Sequence, residues 1–247
     1  MTPADILASL FPAGHDVTGT DGLLLGSGIL RAGGRALVIG VADRTPLGVD
    51  EAVRLSSHVL ASLADGSGPI LVLVDSDSQR MSKRDELLGL NEFLAHLAKT
   101  LIHADLHGRP TVGLLYGHSA AGAFLATALA TRVLVALPAA DPAVMDLPSM
   151  AKVTKLPLEV LQEKAKSSPV FAPGLDNLAR TGAVQAIWDG TQPLADRLDA
   201  LLTDLPPPHD VRDVLGKQRG GRRMAMEVAA RIREAALLTV EAGHAAP

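Results

Sequence analysis

The chain has 247 residues, enough for one large domain or two small ones, and 47% of them are hydrophobic, so a sizeable core can form. Aromatic residues are 2% and the formal net charge is −4, which argues against both the stacked platforms of single-strand binders and the basic footprint of duplex binders. There is no cysteine, hence no disulfide and no thiolate metal site. Met1 to Leu10 holds Asp5 and no basic region, unlike a signal peptide, and apolar runs such as Ala123 to Ala130 fall far short of a membrane span. The expectation is a soluble cytoplasmic α/β protein that binds neither nucleic acid nor membrane.

Residues 1–20, punctuated by Pro3, Pro12, Gly14 and Gly19, read as a docking arm. Gly22 to Leu30 and Arg35 to Ala42 are apolar segments joined by Arg31-Ala32-Gly33-Gly34, a hairpin signal in which the glycines supply positive φ. Asp50 to Ala64 suits a helix with Val53, Leu60 and Leu63 on its apolar side, ended by Gly66-Ser67-Gly68-Pro69. Ile70 to Val74 is a continuous apolar run bounded by Pro69 and Asp75, as expected of a strand buried on both faces. A long helix follows, with Leu87, Leu90, Leu94, Leu97 and Leu101 at spacings of three and four. Val112 to Tyr116 is predicted as a strand, Ala120 to Ala130 as a helix and Val133 to Leu137 as a strand.

Residues 141–156 read as a Pro-punctuated loop. Helices are predicted over 157–166, 175–181, 193–203 and 211–241, with a short strand at Val184 to Trp188. The last helix is interrupted by Gly216 and by Gly220-Gly221. Strands alternate with helices, so the class is α/β. The division expected is an N-terminal arm over 1–21, a core over 22–205 and a helical extension over 206–247.

The sharpest local signal is Val112 to Ala126, where a buried strand enters a turn of small residues that opens into a helix. One reading is a nucleophile elbow. Gly117-His118-Ser119-Ala120-Ala121-Gly122 is one residue from Gly-x-Ser-x-Gly, with Ser119 as nucleophile. Only His209 and His244 follow it, and no His-Gly-Gly-Gly segment offers a second oxyanion donor. The other reading needs no nucleophile. Small residues uncover backbone N–H groups, here those of Ala121 and Gly122 with Ser119 and His118 on the rim, and one oxyanion donor is worth about 3 kcal/mol. Close packing of helix on strand would demand small residues as well.

The order of segments carries a resemblance to the C-terminal halves of acyl-CoA carboxyltransferases. It runs through Gly34-Arg-Ala-Leu-Val-Ile-Gly-Val-Ala42, Asp50-Glu-Ala-Val-Arg-Leu-Ser-Ser-His58, Leu71-Val-Leu-Val-Asp75 and Ala121-Gly122-Ala123-Phe124. Gln79, Glu86-Leu-Leu-Gly-Leu90, Val144-Met-Asp-Leu-Pro-Ser-Met-Ala-Lys-Val-Thr-Lys155, Phe171-Ala-Pro-Gly174 and Ala186-Ile-Trp-Asp-Gly190 narrow it. Over roughly residues 22–235 the chain resembles the gamma subunits of biotin-independent malonate decarboxylase.

That resemblance implies a crotonase-like (ClpP/crotonase) carboxyltransferase fold and a beta subunit completing the active site. It also implies an acyl carrier protein subunit whose CoA-like prosthetic group bears the malonyl thioester, and an alpha acyl-transfer subunit. The products would be the acetyl thioester and CO2, with no biotin, covalent cofactor or metal in this chain. Ala121 stands where carboxyltransferases usually carry a second glycine, and its Cβ excludes glycine-only backbone angles. In biotin-dependent relatives this half's hole serves the biotin side, so Ala121 and Gly122 would face either the enolate or the carboxylate.

Asp75 suits an active-site carboxylate or a turn cap, His118 a proton relay or a structural histidine, and Ser149 the N-cap of the next helix. Lys152 and Lys155, and the basic patch Arg219, Arg222 and Arg223, could meet phosphates or an acidic carrier, or be solvated. His96, His103 and His107 lack an acidic ligand at helical spacing, so no metal site is expected there. The rival functions are a serine hydrolase centred on Ser119 and a non-catalytic scaffold for the beta subunit.

Overall fold

Seven strands form one sheet, and the alternation along each strand decides which face its side chains serve. A computed structural model describes residues 1–64, 66–169 and 172–244. The main sheet holds β1 (Thr18–Thr20), β2 (Leu23–Ile29), β3 (Arg35–Leu47), β4 (Ile70–Gln79), β5 (Thr111–Leu115), β7 (Val133–Ala136) and β9 (Ala186–Ile187), in that spatial order. The β1–β2 and β2–β3 pairs are antiparallel and the rest parallel. Two further strands, β6 (His118–Ala120) and β8 (Asp141–Ala143), pair in parallel as a separate small sheet.

Ile70, Val72 and Val74 of β4 join Ile39, Val41, Leu115 and Leu134 on one face, whereas Leu71 and Leu73 join Val38, Val112, Leu114 and Val133 on the other. The first face is covered by α2 (Val49–Ser62) and α4 (Leu90–Leu106), through Ala52, Leu55 and Val59 and through Leu90, Leu94, Leu97 and Leu101. The second is covered by α1 (Pro3–Leu10) and α9 (Leu194–Thr203), through Ile6, Leu10, Leu194 and Leu198. Cover on both faces is why the parallel strands read as unbroken apolar runs. The hairpin turn has Gly33 and Gly34 at φ 93° and 81°, as its sequence requires.

Several expectations are corrected. The segment expected as an arm is a helix closed by a Thr2–Asp5 capping box, and Phe11 packs so tightly on Gly28 that a Cβ there would sit 2.3 Å from its ring. In α2 the buried stripe is Ala52, Leu55, Ser56 and Val59, which leaves Val53 and Leu60 about two-fifths exposed. The long leucine helix is two, because Gly89 at φ 83° separates α3 (Lys83–Leu88) from α4 and leaves Leu87 outside.

The strand closing at Asp75 continues to Gln79, since the polar tail of β3 supplies partners, Thr45 opposite Ser76 and Leu47 opposite Gln79. The helix expected over Ala120 to Ala130 is a short α5 (Ala121–Ala126) and a single 3-10 turn, Ala128–Ala130. The expected loop over 141–156 contains β8 and α6 (Leu147–Thr154). The cap of α6 is Asp146, whose Oδ1 accepts the Ser149 N–H at 2.6 Å, so Ser149 is not the cap. Downstream come α7 (Leu158–Ser167), α8 (Leu175–Arg180), α10 (Arg212–Gln218) and α11 (Ala225–His244), the last two separated near Gly220-Gly221 as expected. Phe171 of the family-like string and residues 245–247 lie outside the described residues. Among the described residues no helix is long and apolar enough to cross a membrane.

Candidate active site

β5 ends opposite Val74, and the polar continuation of β4 beyond it, with the turn that follows β5, builds the site. Gly117 must be small, because a Cβ would stand 2.2 Å from Asp75 Oδ1. That approach lets Asp75 Oδ1 accept the His118 backbone N–H at 2.9 Å. The β6–β8 register sets His118 against Asp141, and the Asp141 N–H donates to the Gly117 carbonyl at 3.0 Å. His118 Nδ1 lies 3.2 Å from Asp141 Oδ2, and its Nε2 lies 4.0 Å from Asp77 Oδ1. Asp141 and Asp77 thus flank one partly exposed imidazole, while Asp75 holds the backbone of the same residue.

Ser119 points the other way. It is fully buried, and its Oγ lies 3.1 Å from Ser76 Oγ. Such a hydroxyl cannot meet a substrate carbonyl, which overturns both the elbow and a place for Ser119 on the rim. Tyr116 is buried too, with its hydroxyl donating to the Val41 carbonyl at 3.2 Å. Burial, and then the charges of Asp75 and Asp43, push its phenol well above the ordinary range, so it stays neutral.

The turn itself differs from the expectation in two ways. Ala121 lies at φ 47°, a left-handed conformation that costs an L-residue about 1–2 kcal/mol and that glycine would take freely. Alanine therefore occupies a region expected to exclude it. The Gly122 N–H is not open either, since it donates to Gln79 Oε1 at 2.9 Å. A Cβ at Gly122 would meet Gln79 Oε1 and Leu94 Cδ1, each at 3.1 Å.

The other expected residues are scattered. Lys152 is exposed on α6, where its charge helps hold the Asp146 carboxyl below the ordinary range. Arg219 is committed elsewhere, because its guanidinium donates to the Ala179 and Val184 carbonyls at 2.8 and 2.7 Å and to Gln185 O at 2.8 Å. Arg222 and Arg223 line a cleft of about 460 Å³ together with Arg180. Gln79, Asp77, Asp141 and Arg180 were not among the residues expected at a site. Only the β6–β8 register brings Asp141 in, and no sequence periodicity reveals a three-residue parallel pair. Among the described residues no group of three acidic or histidine side chains could hold a metal ion.

A family profile described as malonate decarboxylase gamma subunit matches residues 42–236. The chain is 30% identical over 175 residues to a Malonomonas rubra protein named malonyl-S-ACP:biotin-protein carboxyltransferase MADD, covering 66% of this chain and 60% of that one. It therefore spans about 60% of that relative's length. The Pseudomonas malonate decarboxylase MdcD-MdcE hetero-dimer contains a chain 26% identical, with a TM-score of 0.72 over 95% of this chain and 97% of that one. A chain of the Pseudomonas hetero-tetramer in complex with coenzyme A gives 0.76 at 24% identity, over 92% and 97%. Transcarboxylase 12S shares the fold at 16% identity and a TM-score of 0.65, over 85% of this chain and 42% of that one. The crotonase-like carboxyltransferase fold expected from the sequence is the fold found.

Proposed function

Since the chain belongs to the malonate decarboxylase gamma subunit family, we propose that it forms half of a two-chain site that decarboxylates a malonyl thioester. The other half comes from a beta subunit. The substrate rides on the CoA-like group of an acyl carrier protein, loaded by an alpha acyl-transfer subunit, and no biotin takes part. The bond between the carboxylate and the α-carbon breaks, and its electron pair delocalises onto the thioester oxygen as CO2 leaves. A proton then adds to the α-carbon and gives the acetyl thioester.

The chain's contribution is the turn at Ala121 and Gly122. Donors fixed before the reaction stabilise charge where it develops. The observation that carries this reading is the Gly122 N–H with an amide oxygen, Gln79 Oε1, already at 2.9 Å. An oxygen atom fits that place, and a substrate oxygen would take it when the Gln79 side chain swings aside. The Ala121 amide, which Gln79 Oε1 does not take, would be the second donor. His118 supplies the proton, and Asp75 fixes its backbone. Lys152, Arg222 and Arg223 take up the carrier or its prosthetic group.

The same Gln79 contact favours a second reading, a scaffold whose turn is already satisfied. The test is CO2 release from a malonyl thioester by the chain alone, with its partner, and with the partner and Ala121→Val. Release only in the mixture, lost in the variant, is expected. Full release with Ala121→Val would establish the scaffold, and no release by any mixture would end the decarboxylase reading.

A further inference from the structure

The small sheet of β6 and β8 stands apart from the seven-stranded one, and a pair of such short strands adds little stability of its own. What it does is set one pair of side chains. Alternation turns Ser119 and Pro142 of the middle pair inward, where both are buried, and so brings His118 and Asp141 out on the same face. Both backbones are fixed from outside as well. The Asp141 N–H donates to the Gly117 carbonyl, the Gly174 N–H to the Pro142 carbonyl, and the His118 N–H to Asp75 Oδ1.

The two ring nitrogens of His118 are not equivalent. Nδ1 lies 3.2 Å from Asp141 Oδ2, within hydrogen-bond distance, whereas Nε2 lies 4.0 Å from Asp77 Oδ1, beyond it. Asp77 is also shared, since Arg44 Nη2 stands 3.8 Å from the same oxygen. Arg44 lies where the β3–β4 register breaks between Val41 and Thr45, and both Asp43 and Arg44 take left-handed backbone angles there, at φ 57° and 53°. A carboxylate can only accept, so contact with Asp141 makes Nδ1 the donor and leaves Nε2 as the nitrogen free to exchange a proton. The Asp141 side chain is 76% exposed, so water screens its charge, and its leverage is over the tautomer and orientation of the ring.

We propose that Asp141 is a positioning residue that holds His118 as the Nδ1–H tautomer, so that Nε2 is the atom that moves the proton in the decarboxylation. The pairing stands on the geometry alone, whereas the destination of the proton rests on the function proposed above. In that step the protonated imidazole gives up its Nε2 hydrogen as a C–H bond forms at the enolate α-carbon. The electron pair left on Nε2 yields the neutral ring, with Nδ1–H still bonded to Asp141, and solvent restores the proton.

The test is nitrogen-15 NMR of His118 in the full chain, recorded where the ring is neutral, for the native protein and for Asp141→Asn, Asp141→Ala and Asp77→Asn. The Nδ1–H tautomer is expected in the native chain and in Asp77→Asn, and the Nε2–H form should gain in both Asp141 variants. Both keep the main-chain bond from residue 141 to Gly117, so β8 keeps its pairing. In the complex with the beta subunit, both should lower kcat for CO2 release from the carrier-borne malonyl thioester about tenfold, with KM unchanged. Deuterium uptake from D2O at the methyl group of the acetyl thioester, the reverse of the same proton transfer, should slow by a similar factor. An Nε2–H tautomer in the native chain, a tautomer indifferent to Asp141, or an unchanged kcat in a variant whose tautomer has switched overturns the proposal. A native complex that releases no CO2 while the tautomer still depends on Asp141 would sink the decarboxylase reading and leave the pairing standing.

Discussion

Two turns rich in small residues, one around Gly117 and one around Gly221, bring distant backbones together and arrive at opposite electrostatics. At Gly117 the obstacle to a Cβ is a carboxylate, and the polar groups gathered there satisfy one another: Asp75 with His118 N–H, Ser76 with Ser119, Gln79 with Gly122. At Gly221 the obstacle is the main chain at Arg180, and a single guanidinium, Arg219, does the joining while three others face a cleft. The first turn is closed upon itself, and the function proposed for it requires it to open. The second is held open by a clamp outside it.

The contrast is broken most sharply by adding one methyl group to each turn. Gly221→Ala drives its Cβ into main-chain atoms of Arg180, which no rotamer change relieves, and should cost about 3 kcal/mol. Gly117→Ala meets the Asp75 side chain, which can rotate away, so about 1.5 kcal/mol is expected together with loss of the Asp75–His118 bond. Urea midpoints of the two variants check the order, and equal costs would mean that the obstacles are equally yielding.

Removing the clamp is next in size. Arg219→Ala leaves three carbonyls without their charged donor, and a loss of about 2 kcal/mol is expected, with faster amide exchange confined to residues near 179–185. A uniform rise in exchange across the sheet would instead place the clamp in the general stability of the fold.

How much of this was legible follows from range. The faces of β4 were written in its apolar run, and the hairpin in Gly33 and Gly34, because both depend on neighbours in sequence or on backbone angles. The split at Gly89 stayed hidden, since the leucine spacing runs straight through it. Residues 1–20 read as a docking arm from their Pro and Gly alone, and what the sequence did not reveal is that Phe11 is nearly fully buried against a strand that carries glycine for it. At the site, the small residues pointed to the turn, but Gln79 and Gly122 are 43 positions apart and nothing local couples them. Arg219 was singled out for its charge, and its place among carbonyls reverses the role that charge suggested.

Ala121 sharpens the comparison from the other side, since this turn keeps a residue with a Cβ where glycine would relieve the backbone. Ala121→Gly removes the cost of the left-handed conformation but adds freedom to the unfolded chain, so a net gain of about 0.5–1 kcal/mol is expected. A β-branched residue does not tolerate that conformation, so Ala121→Val should lose about 1 kcal/mol. A Tm that falls for glycine would mean that the alanine methyl makes contacts worth more than the strain.

The smallest effect lies at Asp146, between the two turns, where α6 begins. Its carboxyl is held below the ordinary range by the Ser149 hydroxyl and N–H, with Lys152 adding a lesser attraction. A carboxylate with a lowered folded value stabilises at pH above its unfolded pKa, and that stabilisation fades as pH falls through the folded value. Exposure to solvent keeps it near the low end for an N-cap, so Asp146→Ala should cost about 0.5 kcal/mol at neutral pH. The difference between variant and native should vanish under acid, when both lack the charged cap. Helix stability measured at pH 7 and again below the folded pKa tests the sign: a gap that widens in acid would mean that the protonated side chain, not the carboxylate, is the better cap.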